Sequence, residues 1–364
     1  MILEKNLLKR EVPALPEIKP ETWAKNREDL IRIMCEKEYG NPIPAPDSLS
    51  FEEGPVTLKF CAGFGIQFPV TAHTVVAGKP FDFTFTVNLP TTADKPVPFF
   101  VLCNFHRGEP NMYLPIEEII DRGFAVLHLN YEDITSDDGD FTNGLAACVY
   151  PDGGENRGPY DPGKIQMWAW GNMRLMDYAM TCNNLDHKNG AVIGHSRLGK
   201  TALVTGMMDE RFQYVCSNNA GCSGDAITRR KEGERIRDIT NKFPFWFCEN
   251  YKSYVSMDGG NGHMDFDQHF MFASIAPRVV MVGAANDDNW ADPVSQQLCC
   301  VAASPAWEAL GKVGYVSADR NPWIGDHFNE GNLCYHLRRG IHFLSRLDWI
   351  AYMDTIEKKM KENQ

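Results

Sequence analysis

Nowhere in the 364-residue chain does an apolar run approach the roughly eighteen residues that a membrane-spanning helix needs. The opening stretch, MILEKNLLKREVPALPEIKP, interleaves charges with its apolar side chains and soon meets proline, so it lacks the unbroken apolar segment of a secretory leader. Both features make a cytoplasmic protein the expectation. Basic residues are scarce beside acidic ones, 36 against 48, for a net charge of −12. That imbalance argues against a nucleic-acid or anionic-membrane partner and leaves room for a neutral or locally cationic ligand. None of the eleven cysteines stands in a C-x-x-C pair, and only Cys299 and Cys300 adjoin. The spacing suggests neither zinc nor thioredoxin-type chemistry, so reduced, mostly buried thiols are expected. Internal repeats and low-complexity tracts are missing as well.

What is present is material for a large core. With 43% hydrophobic composition, the chain predicts a single domain over residues 1–364, with 1–55 as an N-terminal helical extension packed on it. ETWAKNREDLIRIMCEKEYG has apolar residues at helical spacing and ends on Gly40. From Val56 to Leu89 the pattern alternates, which predicts antiparallel strands at a sheet edge. Then the character changes. VPFFVLCNF, AVLHLNY, AVIGHS, YVCSNNAG, APRVVMVGAA and LCYHLRRGIHF are apolar runs with helical segments between most of them. That order predicts a doubly wound, mostly parallel sheet with antiparallel N-terminal strands, in a three-layer αβα sandwich. Ligands of such sheets bind at the carboxyl ends of the strands.

The run AVIGHSRLGKTALVTG takes a strand directly into a helix with a serine on the turn, the layout of a nucleophile elbow. Ser196 is the candidate nucleophile, and the following N–H, that of Arg197, is aimed at an oxyanion. The second glycine of the common G-x-S-x-G pattern is displaced: Leu198 stands in its place and Gly199 comes one later. A base is needed after the last strand, where His342 stands in RRGIHFLSRLDW; His269 and His195 are weaker rivals, the side chain of His195 being expected to diverge from the elbow. The acid that orients the imidazole comes from NDDNWADP, with Asp288 first and Asp287 second. A further oxyanion donor is expected near His106 and Arg107, in the loop after FFVLCNF. Lys200, one helical turn beyond Ser196, lies on the same face and is placed to meet a substrate hydroxyl. Trp290, flanked by polar residues, is the tryptophan expected to be exposed to a sugar face. SDDGDF is acidic but lacks the ligand spacing of a calcium loop, so no metal or cofactor is assigned.

WAWG before the elbow, GHSRLGK at it, FDQH and IAPR leading to NDDNWADP, VAASPAWEALG, and YHLRRGIHFLSRLDW together resemble the glucuronoyl esterase family and its bacterial acetylxylan esterase-like relatives. The resemblance covers roughly Trp23 to Asp354 and implies the α/β-hydrolase fold. It further implies that Ser196 is the nucleophile, His342 the base and Arg197 an oxyanion stabiliser, with Lys200 and Trp290 contacting the sugar. Many members carry the triad acid directly after the elbow helix, where this chain has Asn219, so Asp288 becomes the natural candidate. The polar residues that glucuronate-cleaving members place near their Trp-Phe pair have no match in NKFPFWFCENYKSY. The expected activity is hydrolysis of a plant cell-wall carbohydrate ester, either a glucuronoyl ester or an acetylated xylo-oligosaccharide. The rival readings are a decayed hydrolase that binds carbohydrate, which Asn219 keeps open, and a dienelactone-type hydrolase or peptidase.

Overall fold

Strands buried on both faces have no polar face to show, and this explains the continuous apolar runs of the chain's middle. The computed structural model describes residues 1–91, 95–257 and 264–362. Its strands are β1 (Ser48–Glu53), β2 (Thr57–Phe60), β3 (Gly65–Val76), β4 (Lys79–Pro90), β5 (Val97–Asn104), β6 (Ala125–Asn130), β7 (Leu185–His195), β8 (Tyr214–Asn218), β9 (Val279–Ala285), β10 (His327–Phe328) and β11 (Leu333–Arg338). They form one sheet in the order β1-β3-β4-β6-β5-β7-β8-β9-β11-β10, with β2 also on β3. From β6 to β11 the pairing is parallel, while β1 to β4 and the short β10 are antiparallel. The α/β-hydrolase class expected from the sequence is the one observed.

The helices are α1 (Ile2–Arg10), α2 (Trp23–Met34), α3 (Ile116–Asp121), α4 (Gly144–Val149), α5 (Lys164–Ala179), α6 (Arg197–Met208), α7 (Ile236–Lys242), α8 (His269–Ile275), α9 (Pro293–Ala309) and α10 (Arg346–Glu362). Alternate residues of each central strand serve the two layers. On β5, Phe99, Val101 and Cys103 join the core under α5, α6, α8 and α9. Phe100 and Leu102 join a second core under α3 and α10, built on Trp349, Tyr352 and Met353. Residues 1–55 do not form a purely helical extension. Helices α1 and α2 lie against α9 and α8, but Ser48–Glu53 alternates apolar and polar residues and is strand β1, paired with β3. All eleven cysteines are free, ten buried and Cys182 half-buried. Burial pushes the Cys35 and Cys334 thiols up to about 12.

Candidate active site

The turn between β7 and α6 leaves Ser196 at φ 57° and ψ −126°, a conformation that a side-chain-bearing residue keeps only when its surroundings hold it there. They do so by close approach. A Cβ on Gly194 would lie 1.9 Å from the Leu198 carbonyl oxygen, and one on Gly199 would lie 3.1 Å from Ala220 Cβ and 3.2 Å from the Asn218 carbonyl oxygen. The displaced glycine is thereby explained: Gly199, not residue 198, is where α6 passes β8. The Ser196 N–H donates to the Asn218 carbonyl at 2.9 Å, and the Ser196 carbonyl accepts from Gly199 and Lys200 at 2.9 and 3.2 Å. Arg197 and Leu198 open the helix, so their N–H groups have no intrahelical carbonyl to meet.

His342 stands in the loop after β11, and its Nδ1 lies 2.6 Å from Asp288 Oδ2. The carboxylate is 3% exposed and the imidazole 43%, so the acid is sealed while the ring reaches the cleft. With Nδ1–H donating to Asp288, Nε2 keeps its lone pair for a proton. The second oxygen of Asp288 accepts from the Ala291 N–H at 3.2 Å. Asp287 is exposed and accepts from the Asn286 amide at 3.0 Å, away from His342. Asp292 caps α9 by accepting from the Ser295 N–H at 3.1 Å. No hydrogen bond joins Ser196 Oγ to His342 in this structure, although both line one cleft; such contacts commonly tighten only when substrate arrives.

The histidine loop is fixed from below. Asp348 accepts from Arg338 Nε at 2.6 Å, from His336 Nε2 at 2.9 Å and from the Ser345 N–H at 2.7 Å. Arg338 in turn donates to the carbonyls of Ile341 and Phe343. Asn219 ties the loop to the sheet, accepting from the Ala285 N–H at 3.1 Å and donating to the Phe343 carbonyl at 3.2 Å. His195 does not diverge from the site as its place beside Ser196 suggested. Its ring centroid is 4.5 Å from that of His342, and burial, followed by the neighbouring His342, pushes its imidazole down to about 3. The ring is therefore neutral packing behind the base. His269, at the start of α8, donates from Nε2 to the Pro13 carbonyl at 2.9 Å, and is not among the residues lining the cleft.

The cleft holds about 340 Å³ and is lined by Ser196, Arg197, Lys200, Glu234, Trp246, Asp288, Trp290 and His342 among others. Arg197 pairs with Asp137 at 3.0 Å, and its guanidinium sits 5.1 Å from the ring centroids of both Phe105 and Trp246. Trp246 donates its indole N–H to Asp137 at 2.6 Å and stacks on Phe243, with centroids 3.9 Å apart. The acidic SDDGDF run thus supplies a partner for Arg197. Lys200 is buried, and its ammonium donates to the Ala220 carbonyl. Trp290 is 57% exposed, and its carbonyl accepts from the Glu234 N–H at 3.1 Å.

His106 and Arg107, expected as substrate contacts, are not among the residues that line the cleft. Arg107 is drawn to Asp133 and Glu132 on the neighbouring loop, and His106 stacks on Tyr113 at 5.6 Å. Glu234 and Lys242 line the cleft and went unnoticed in the sequence. Both lie in RRKEGERIRDITNK, where dense charge of both signs reads as a solvated face; only the glycine inside the run hints at a close approach. Among the described residues no cluster of three or more His, Cys, Asp or Glu is arranged to hold a metal ion.

The family model described as glucuronyl esterase, fungi, matches residues 72–311. The chain is 36% identical over 246 residues to carbohydrate esterase MZ0003 from an unknown prokaryotic organism, covering 67% of this chain and 56% of that protein. It is 26% identical over 312 residues to a 4-O-methyl-glucuronoyl methylesterase of Podospora anserina, covering 82% and 59%. The chain therefore spans less than two thirds of the length of these curated relatives. Among solved structures, the glucuronoyl esterase from Solibacter usitatus superposes with a TM-score of 0.85 at 29% identity, covering 95% of this chain and 97% of that one. With a family model matched across most of its length and a fold shared almost end to end with a solved member, this chain belongs to the glucuronoyl esterase family.

Proposed function

We propose that the chain is a serine esterase that cleaves the ester of a uronic acid, in which the sugar supplies the acyl group. Ser196 Oγ attacks the ester carbonyl while His342 Nε2 takes its proton, and Asp288 holds the ring and stabilises its cation. The oxyanion meets the free N–H at the start of α6 and the Arg197 guanidinium. His342 then returns the proton to the departing alcohol, and water, activated by the same histidine, releases the acid. The observation that carries this reading is the 2.6 Å Asp288–His342 pair on the cleft that Ser196 also lines.

The cleft also favours the uronate over the acetyl ester. An acetyl group needs little room beside the nucleophile, whereas about 340 Å³ bordered by Lys200, Glu234 and Trp290 suits a sugar ring. Arg197, Lys200 and Lys242 bring positive charge to the cleft of an otherwise acidic chain, which suits a product carboxylate. The names of the relatives, carbohydrate esterase and 4-O-methyl-glucuronoyl methylesterase, agree with this substrate class. The test is a matched set of p-nitrophenyl acetate, acetylated xylo-oligosaccharides and methyl glucuronate, each with wild type and Ser196→Ala. Serine-dependent turnover of methyl glucuronate, well above that of the acetyl esters, is expected; preference for the acetyl esters would reverse the acyl assignment. A decayed carbohydrate binder is excluded if a fluorophosphonate labels Ser196.

A further inference from the structure

We propose that Trp323 is a second sugar platform on the rim of the cleft, stacking a pyranose of the polysaccharide that carries the ester. The inference rests on the esterase reading of the cleft and extends it to the chain attached to the reacting sugar. Of the eight tryptophans, two are exposed: Trp290, at 57%, and Trp323, at 65%. An indole that is both exposed and held in place offers a flat apolar face on which a sugar ring can stack.

The ring is held. Arg320 places its guanidinium 3.9 Å from the Trp323 ring centroid and grips Asp326 with both arms at 2.7 and 2.8 Å. Asp326 also accepts from the Trp323 N–H at 2.7 Å. One face of the indole is thus covered by a fixed cation, and the exposure that remains belongs to the opposite face. A ring already immobilised loses little conformational freedom when a sugar settles on it.

Its place in the fold fits a chain leaving the cleft. Gly325 donates to the Leu337 carbonyl at 2.8 Å, and Leu337 donates to the Asp326 carbonyl at 3.0 Å. The turn therefore runs antiparallel to the end of β11, continuing the His327–His336 and Phe328–Tyr335 pairing. The Asp326 N–H donates to the Trp323 carbonyl at 3.0 Å, so Trp323 opens a turn at the carboxyl end of β11, the strand that leads into the His342 loop. Trp290 stands in the loop after β9, the strand that pairs with β11. In the strand order β9-β11-β10 the two exposed indoles thus stand at the carboxyl edge of the sheet, in turns that flank the end of β11.

The test compares Trp323→Ala and Arg320→Ala with wild type on methyl glucuronate and on a methyl-esterified aldouronic xylo-oligosaccharide of five or more sugars. Unchanged kinetics on the single sugar and a KM raised roughly three- to tenfold on the oligosaccharide are expected for Trp323→Ala, from the loss of one stacking contact. Arg320→Ala should move the same way by less. Ser196→Ala run through a native gel containing glucuronoxylan should be retarded, and Ser196→Ala/Trp323→Ala less so. Equal KM values for both substrates, equal gel mobilities, or sedimentation that shows a dimer lost in Trp323→Ala would overturn the proposal, the last by making the ring a contact between copies. If wild type cleaves neither ester, the esterase reading fails, while the gel still reports on the platform.

Discussion

Asn219 and Phe343 are joined by a hydrogen bond of 3.2 Å from the side-chain amide of the first to the carbonyl of the second. A carboxylate at position 219 would keep the acceptor for the Ala285 N–H but would face the Phe343 carbonyl with lone pairs, freeing the residue next to His342. Asn219→Asp should therefore lower kcat about tenfold with little change in KM, since a loosened base costs turnover more than binding. A kcat within twofold of wild type would show that Arg338 and Asp348 hold the loop unaided.

Asp288→Asn should cost on the order of 10⁴-fold in kcat, the loss that follows the same change in a serine protease, because an amide cannot stabilise the imidazolium. Asp287→Asn should leave kcat within about twofold. Steady-state kinetics on methyl glucuronate decide between them; the reverse pattern would move the acid by one residue.

Asp137→Asn should keep an acceptor for the Trp246 indole and lose the charge that anchors Arg197. The expected outcome is a kcat lowered about tenfold and a weaker affinity for a transition-state-like phosphonate, with KM nearly unchanged. Equal losses in KM and in phosphonate affinity would assign Asp137 to binding instead.

Burial pushes both His195 and His269 down to about 3 in the folded protein, against roughly 6.5 in the unfolded chain. Between those values the unfolded chain binds more protons, so stability rises with pH and is lost as pH falls below about 6.5. Each ring should account for on the order of 2 kcal/mol between pH 7 and pH 5. Buried Glu38, pushed up to about 8, acts in the opposite sense over this range, so the check is a difference: in urea unfolding, His269→Gln should lose on the order of 2 kcal/mol less than wild type between pH 7 and pH 5.

The parallel core was legible because runs such as FFVLCNF and RVVMVGAA are apolar without alternation, as strands covered on both faces must be. The elbow was legible too, since G-x-S between a strand and a helix has few other uses. Strand β1 was hidden in a segment whose neighbours are helical, and β10 is only two residues long. Glu234 and Asp137 were hidden for a different reason. They lie in charge-rich loops where composition reports solubility, and only the fold shows which of several carboxylates turns inward.

The sealed thiols have a practical corollary. Ten of the eleven sulfurs are buried, and their acidity is suppressed where burial is complete, so thiol-directed reagents should find little to attack. A single cysteine placed by mutation on an outer loop would then be the preferred point of attachment for a dye. Fluorescence from such a label could follow a carbohydrate chain arriving at the protein without any native side chain being altered at the site of chemistry.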